Sequence, residues 1–315
     1  MRSRHPIALF TVLLAAASAR AVPIPNPSAE ADATARYQDQ AVGSLPVFSG
    51  IGGHFADQLA IAAGPSAGNF AISNGTGVLS DPLFGPSVDG FAEIQGAGSF
   101  PSPQNLTVEA TSYARSRTVW EVAPGPTGSV DVDLDLALHG AFEVGNFFSN
   151  DGRDVFAQVR YSARVYDDIG SELVFEGWVT ALGAFRNDQV STAFDFDPSV
   201  ATRVPPLGGF STSRFEVAYA DRLEDVLTLE VGDRFAVEIV LTTAVRAAGP
   251  FEMHALADFE NTGVFALASG TPGASFTPVP VPEPGTAALV TAALLALAAS
   301  GSRRRPPSGR ASSGR

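Results

Sequence analysis

The stretch Val130-Asp131-Val132-Asp133-Leu134-Asp135-Leu136-Ala137-Leu138-His139 places an aliphatic side chain at every second position. Successive side chains of a β-strand point to opposite faces of a sheet, so a strand collects the five aliphatic residues on one face. A second run with the same period extends from Val155 to Val165. We therefore predict that both runs are strands, each with one face in a core.

Turn signals surround these two runs and separate further strand candidates. Glycine, proline, asparagine and aspartate cluster at residues 123–128, 150–152, 168–170 and 231–233. Short alternating segments between such turns are typical of an antiparallel sandwich. Residues 218–229 could instead form a helix, but a glycine turn and another strand candidate follow at once, which favours a strand. We predict an all-β body, an antiparallel two-sheet sandwich that is jelly-roll-like. The further strand candidates are residues 107–113, 117–122, 172–181, 214–220, 225–230, 234–245, 253–259 and 264–268.

The segment from Ser44 to Pro103 differs in composition from the rest of the body. It is rich in glycine, serine, alanine and proline, with phenylalanines at intervals. One interpretation is a long loop or a glycine-rich binding surface. The other, which we prefer, is a set of short edge strands joined by wide loops, each pinned by one buried phenylalanine.

The charge of the body restricts its partners. The chain has 315 residues, and all 20 of its basic residues are arginines. Residues 22–282 hold 12 of these arginines and 32 of the 33 acids, a formal charge near −20. Such a surface repels nucleic acid and anionic lipid, so neither is expected as a direct partner. The chain has no cysteine, which excludes thiol chemistry and disulfides and leaves burial to stabilise one domain of about 260 residues.

The N-terminus has the pattern of a secretory signal peptide. Arg2 and Arg4 precede a short apolar stretch, and small residues Ala19 and Ala21 stand at alternate positions after it. Signal peptidase is expected to cut after Ala21. The apolar run is too short to span a membrane, which disfavours a retained signal anchor. The body is therefore predicted to lie outside the cytoplasm.

The C-terminus combines three features. Pro282, Glu283 and Pro284 come first, and prolines favour an extended, protease-accessible spacer over residues 271–284. Residues 285–302 contain no ionisable side chain and would span roughly 27 Å as a helix, close to the apolar thickness of a bilayer. Residues 303–305 are three arginines, which the positive-inside bias keeps in the cytoplasm.

This arrangement resembles the PEP-CTERM sorting domain of exported bacterial proteins, over roughly residues 280–305. The resemblance implies that an exosortase, a membrane-embedded cysteine transpeptidase-like enzyme, recognises Pro282, Glu283 and Pro284 and processes the tail. It also implies a biofilm-forming setting rich in exopolysaccharide. An ordinary membrane anchor on a proline-rich stalk is the alternative. One departure from the family is the tail after Arg305, which is longer than the usual abrupt end.

We accordingly expect five segments. They are a signal peptide (1–21), an extracytoplasmic β-sandwich domain (22–270), a proline-rich linker with the motif (271–284), a single transmembrane helix (285–302) and a basic tail (303–315) that begins with the stop residues Arg303, Arg304 and Arg305.

Acidic clusters in the body suggest at most a weak cation site. One straight strand cannot wrap a calcium ion, so Asp131, Asp133 and Asp135 are predicted to form a solvated strand face. The loop around Asp151 and Asp154 has a glycine turn with oxygens on both sides, which makes these two residues the first candidates for a structural calcium. A plain turn is the preferred interpretation there, as it is for residues 167–172. No other cofactor is expected.

No catalytic frame is visible in the sequence. The histidines are far apart and lack metal-ligand spacing, and no serine elbow is present. Trp120, Trp178, Tyr113 and Tyr161 could form a sugar-stacking platform, although the strand positions of the two tryptophans favour burial in the core. We expect a non-catalytic surface or matrix protein, in contact with extracellular polysaccharide. A secreted carbohydrate-binding module is the alternative, and a secreted hydrolase ranks third.

Overall fold

The fold is known from a computed structural model. It describes residues 24, 27–37, 40–42, 55–63, 70–79, 86–96, 106–125, 128–146, 155–183, 189–194, 200–204, 213–249 and 253–279. These residues form an almost entirely β structure of two antiparallel sheets, as predicted.

Sheet A has β13, β6 and β8 at its centre. Its strands follow the order β10-β9-β8-β13-β6-β1-β2, and β15 pairs with the end of β6. The strands are β1 (Ser28–Tyr37), β2 (Gln40–Val42), β6 (Leu106–Val122), β8 (Val155–Tyr166), β9 (Ser171–Gly183), β10 (Gln189–Phe194), β13 (Arg234–Gly249) and β15 (Phe276–Pro278).

Sheet B has β7 and β14 at its centre. Its strands follow the order β11-β12-β7-β14-β5-β4-β3. They are β3 (Phe55–Ala63), β4 (Phe70–Val78), β5 (Ser87–Gly96), β7 (Val130–Asn146), β11 (Ala201–Val204), β12 (Ser213–Leu229) and β14 (Met253–Ala268).

Burial follows the alternation that the sequence shows. Val130, Val132, Leu134 and Leu138 are fully buried on the inner face of β7. Along β8, buried and accessible positions alternate without interruption. A period of two puts one face of each strand against the opposite sheet, which confirms the prediction of two strands that share one core.

Large side chains fill one half of the core, which we call the large-residue half. It lies between β8 and β9 of sheet A and β7, β12 and β14 of sheet B. The rings of Phe175 and Tyr219 stack with centroids 4.9 Å apart, and Phe175 also meets Tyr161 at 5.9 Å. Phe142 and Phe259 lie 5.1 Å apart. Aromatic contacts of this kind add to the free energy of area burial.

Small side chains form the other half, the small-residue half, where β4 packs against β1 and β6. A Cβ on Gly75 would lie 2.5 Å from the carbonyl oxygen of Tyr113, and one on Gly77 would lie 2.4 Å from that of Arg115. The opposing inner positions are alanine and serine, including fully buried Ala114. Backbone therefore meets backbone between the two sheets here.

The Ser44–Pro103 region is more regular than predicted. Residues 55–96 include three strands of nine, nine and ten residues, which form the β3-β4-β5 meander of sheet B. Phe70 and Phe91 lie on its outer face and are partly accessible, so the expectation of buried phenylalanine pins is wrong for these two. Alanine, serine and glycine hold the meander instead, because they allow close contact with sheet A.

Strand β12 joins two segments that the sequence separates. Its pairing with β7 continues from Ser213 to Leu229, with a bulge between Leu223 and Leu227. Asp225 in the bulge has φ of 54°, an uncommon left-handed conformation for a residue other than glycine. The strand interpretation of residues 218–229 is confirmed, and the bulge accounts for the break in the pattern.

The start of the expected linker at 271–284 is attached to the sandwich. Residues 276–278 pair with β6 as β15, and the amide of Val279 donates to the carbonyl of Val119 at 2.8 Å. The ring of Phe276 contacts that of Phe235 edge to face, with centroids 5.6 Å apart. The chain is extended here, as the prolines suggest, but the sandwich reaches Val279 rather than ending at residue 270.

Candidate functional site

The outer face of sheet A carries a row of charged and aromatic side chains across its central strands. Antiparallel register places Arg117 opposite Glu238 and Glu238 opposite Arg164. One row further along, Arg115 lies between Glu30 of β1 and Val240 of β13. Tyr166 lies at the end of β8, and its hydroxyl is within hydrogen-bond distance of Glu238. We call the group Arg115, Arg117, Tyr166 and Glu238 the belt.

Glu238 is buried although it points away from the core. Only 8% of the residue is exposed, because long side chains from the neighbouring strands cover it. The hydroxyl of Tyr166 donates to its Oε1 at 3.0 Å. The nearest guanidinium nitrogens of Arg117 and Arg115 are 3.5 and 3.7 Å from Oε2. The guanidinium of Arg117 also lies 5.8 Å from the ring centre of Tyr166, as in a cation–π contact.

Three polar atoms of the belt lack hydrogen-bond partners within the described part of the chain. They are the Nε atoms of Arg115 and Arg117 and the Oε2 atom of Glu238. Buried polar atoms are nearly always bonded to protein or water, since an unpaired one costs about 1–3 kcal/mol. Within the described residues these atoms have no hydrogen-bond partner, although Oε2 lies within ion-pair distance of both guanidinium groups.

Two tyrosines of this face are held in the neutral form. Burial raises the pKa of Tyr166, and the nearby carboxylate of Glu238 raises it further. Burial also raises the pKa of Tyr113, the residue two positions before Arg115 on the same face of β6. Both phenols therefore remain hydroxyl donors at physiological pH.

The two outer faces of the sandwich differ in charge. Among the described residues, seven arginines and six acids face outward on sheet A, whereas two arginines and ten acids do so on sheet B. Charge balance therefore occurs on sheet A, whereas sheet B holds much of the negative charge. The outward residues of sheet A are Arg36, Arg115, Arg117, Arg160, Arg164, Arg234, Arg246, Glu30, Asp32, Glu109, Glu121, Glu176 and Glu238. Those of sheet B are Arg214, Arg222, Asp57, Asp89, Glu93, Asp131, Asp133, Asp135, Glu143, Glu216, Asp258 and Glu260.

The four aromatic residues considered as a sugar platform do not share one face. Tyr161 is fully buried, and its hydroxyl donates to the carbonyl of Val264 at 3.0 Å. Trp120 packs against the core and lines an open cleft of about 470 Å³ beside Phe265 and β15. Tyr113 and Trp178 do lie on the outer face of sheet A. The prediction of core burial for the two tryptophans is thus largely right for Trp120 and wrong for Trp178, which is partly accessible.

The aspartates of β7 do not all face solvent, in contrast to the prediction. Asp133 is only 4% exposed, because β12 covers it. Its carboxylate accepts a hydrogen bond from the backbone of Asp225 at 3.0 Å and forms an ion pair with Arg222. These contacts lower the pKa of Asp133, with the backbone hydrogen bond as the main cause. The solvated-face interpretation is therefore wrong for Asp133, whereas Asp135 is about half exposed.

Sheet B carries a second polar group around Glu143. Arg214 donates to this carboxylate at 2.8 Å, and His254 lies 3.5 Å from its other oxygen. Burial raises the pKa of the neighbouring Glu93. His139 lies further along β7, and His54 is outside the described residues. Among the described residues, no group of three or more histidine, aspartate or glutamate side chains could hold a metal ion.

The remaining predicted site residues lie outside the described part of the chain. These are the calcium candidates Asp151 and Asp154, the cleavage-site residues Ala19 and Ala21, the motif Pro282, Glu283 and Pro284, and the arginines at 303–305. At the other end of β8, the carboxylate of Asp167 accepts from the amides of Ile169 and Gly170, both at 2.8 Å. That segment is therefore a turn that the Asp167 carboxylate closes. In the described ranges, no helix has the length and apolar character needed to cross a membrane.

Sequence reasoning missed the belt because alternating arginine and glutamate resemble an ordinary solvated strand face. Only the pairing of β6, β13 and β8 brings Arg115, Arg117, Glu238 and Tyr166 together. Comparison with known proteins finds no matching family model, no similar curated protein and no similar solved structure.

Proposed function

We propose that this chain is a non-catalytic exported protein that a C-terminal PEP-CTERM signal sorts to the cell surface or extracellular matrix. The observation that carries the proposal is the pair of terminal signals on either side of an all-β body. Signal peptidase would act after Ala21, and an exosortase would act at Pro282-Glu283-Pro284. The apolar residues 285–302 would anchor the chain transiently as a transmembrane helix, with Arg303, Arg304 and Arg305 on the cytoplasmic side.

The body supports this role through its stability and its surface. The two sheets share a single core, and the chain has no cysteine with which to form a disulfide. The jelly-roll-like arrangement also belongs to the proposal, and it is supported by consecutive strands that exchange sheets at β5–β6, β6–β7, β12–β13 and β13–β14. Attachment of Val279 to β6 leaves only two residues before Pro282, so the processing enzyme would meet the motif close to the sandwich.

The test is to follow loss of the C-terminal tail by mass spectrometry in an exosortase-containing host. We expect the unmodified protein to lose the mass of its tail, and the Glu283→Ala variant to keep it, because the recognised carboxylate is gone. Glu230→Ala is a matched control, since it removes an exposed acid of the body. Equal processing of the Glu283→Ala variant and the unmodified protein would refute the sorting role of the motif.

A second role, carbohydrate binding by the body, is favoured by the partly accessible rings of Tyr113 and Trp178, which lie in one row on the outer face of sheet A. A secreted hydrolase remains the third candidate, and turnover on a panel of polysaccharides and esters is its test.

A further inference from the structure

We propose that strand β15 withholds the sorting motif from the processing enzyme until residues 276–279 detach from β6. The inference rests on the proposed function and adds a regulated step to it, because it states when Pro282, Glu283 and Pro284 become available. Three observations support it: the contacts of β15, the attachment of the chain just before β15, and the short stretch of chain between β15 and the motif.

Strand β15 covers the end of β6 that β1 leaves unpaired. It pairs with residues 120–122 on the same edge of β6 that β1 uses further along. Two backbone hydrogen bonds lie at the ends of this pairing, from the amide of Ala123 to the carbonyl of Ser275 at 2.9 Å and from the amide of Val279 to the carbonyl of Val119 at 2.8 Å. An uncovered strand edge exposes unpaired backbone groups, which β15 supplies with partners. The contact is therefore specific, but it is short.

One side chain holds β15 to the core. Phe276 is partly buried, packs against the core and contacts the fully buried ring of Phe235. Thr277 and Pro278 are exposed, and an open cleft lies beside Phe276 and Trp120. Detachment would therefore expose one partly covered phenylalanine and break a few backbone bonds, while the ladders of the central strands stay intact. Local openings of this size need much less free energy than the unfolding of a whole domain.

The chain is attached to the sandwich again just before β15. The hydroxyl of Thr271 accepts a hydrogen bond from the amide of Asp131 at 3.2 Å, and Gly273 turns the chain with a φ of 78°. The amide of Ala274 donates to the carbonyl of Thr271 at 3.2 Å. Thr271 is consequently the point at which the chain stays attached when β15 leaves β6.

Attachment of β15 keeps the motif close to the sandwich. At about 3.4 Å for each extended residue, Pro282 can lie at most roughly 10 Å from Val279, the last residue bonded to β6. Once β15 is free, the same limit measured from Thr271 is roughly 37 Å. Detachment therefore increases the distance that the motif can reach from the body more than threefold.

An enzyme that cuts a chain needs room on both sides of the bond. Receptors commonly recognise an extended peptide by pairing its backbone with one of their own strands. The backbone of Val279 is already bonded to β6, and the sandwich occupies the space next to it. Cleavage therefore proceeds from the detached state, and its rate follows the fraction of molecules in that state.

The experiment fixes β15 to β6 with a disulfide. The chain has no cysteine, so two introduced cysteines can pair only with each other within the molecule. Thr277→Cys with Glu121→Cys joins residues that face each other in the register, and the usual Cα distance of such residues, about 4.5–5.5 Å, suits a disulfide. Gln158→Cys with Thr180→Cys is the matched control, because it joins facing residues of β8 and β9 elsewhere in sheet A.

The purified full chain in mild detergent is mixed with solubilised membranes from an exosortase-containing host, and loss of the tail is followed by mass spectrometry. We expect the oxidised β15–β6 pair to lose its tail at least about tenfold more slowly than its reduced form, whereas the control pair changes by less than about twofold. Phe276→Ala should lose its tail about fivefold faster and show faster hydrogen exchange at the Val279 amide, because the detached fraction rises. Phe91→Ala, which changes a partly accessible phenylalanine of sheet B, should match the unmodified protein.

Thermal melts establish that each variant is folded. Thr277 is exposed, so the disulfide tests the proposal even if Phe276→Ala lowers stability. Equal rates for the oxidised and reduced β15–β6 pair would overturn the proposal, as would a Phe276→Ala variant with faster exchange at Val279 but no faster loss of the tail. Either outcome leaves the sorting proposal intact when the unmodified protein is processed and Glu283→Ala is not. An unmodified protein that keeps its tail would instead refute the sorting role, and the role of β15 with it.

Discussion

The two halves of the sandwich bring their sheets together in different ways. In the large-residue half, rings such as Phe142, Phe175 and Phe259 separate the sheets. In the small-residue half, Gly75 and Gly77 allow the backbone of β4 to approach the backbone of β6. Packed sheets ordinarily lie about 10 Å apart, and a missing side chain permits a shorter distance. The comparison shows that the packing of one core can depend on large side chains in one half and on residues without a side chain in the other.

The largest effect is expected from removing a ring in the large-residue half. Phe142→Ala should lower the free energy of unfolding by about 4 kcal/mol, because a fully buried ring leaves a cavity. Urea denaturation of the purified protein measures this loss. Phe91→Ala on the outer face of sheet B is the control, and we expect it to cost less than about 1 kcal/mol. Similar losses for the two variants would contradict the role given to the ring.

Adding a single methyl group should damage the small-residue half almost as much. Gly75→Ala places a Cβ against the carbonyl oxygen of Tyr113, which belongs to the backbone and cannot rotate away. We expect a loss of about 3 kcal/mol, at the upper end of the usual range for overpacking. Gly170→Ala is the control, since no atom lies within 4 Å of its added Cβ. A neutral Gly75→Ala variant would show that the sheets can separate at this point.

Acid should loosen the large-residue half first. The pKa of Asp133 is lowered in the folded protein, so its contribution to stability is present above the unfolded pKa of about 3.9 and is lost as pH falls through the folded value. Asp133→Asn should cost about 1–2 kcal/mol at pH 7 and reduce the acid sensitivity. Hydrogen exchange below pH 4 should show β12 opening before β1 and β4. The half-exposed Asp135, replaced by Asn, provides the control on the same strand.

The smallest effect concerns the hydrogen bond that joins β6 and β13 near the boundary of the two halves. Ser112 and Thr243 are fully buried, and their hydroxyl oxygens are 2.7 Å apart. Thr243→Val should cost about 1 kcal/mol, because the Ser112 hydroxyl loses its partner without a change in volume. The double variant with Ser112→Ala should recover part of that loss. If the two single losses simply add, the hydroxyls do not depend on each other.

Much of the fold could be predicted from period-two patterns alone. The runs at Val130–Leu138 and Val155–Val165 identify two central strands because their aliphatic residues all reach the core. The meander of residues 55–96 was less visible, since glycine, alanine and serine have weak strand preferences. Their value lies in the close approach of another sheet, which a local pattern does not contain. The bulge at Asp225 was hidden for a similar reason, because it depends on the buried carboxylate of Asp133 on another strand.

The candidate site was predictable only in part. Tyr113 and Trp178 could be named as aromatic candidates from the sequence, but their common face could not. Glu238 and Arg117 are 121 positions apart in the chain and meet only through strand pairing. The sorting motif is the reverse case, since it is contiguous and can be recognised without any structure.

Attachment of β15 also has a mechanical consequence. A pull on the chain beyond Val279 would reach the sandwich through the short pairing with β6 and the Phe276–Phe235 contact. Those few bonds would rupture at a lower force than the long ladders of the central strands. Under such a load β15 would detach before the sandwich unfolds. The freed residues would lengthen the connection between the body and the chain that follows.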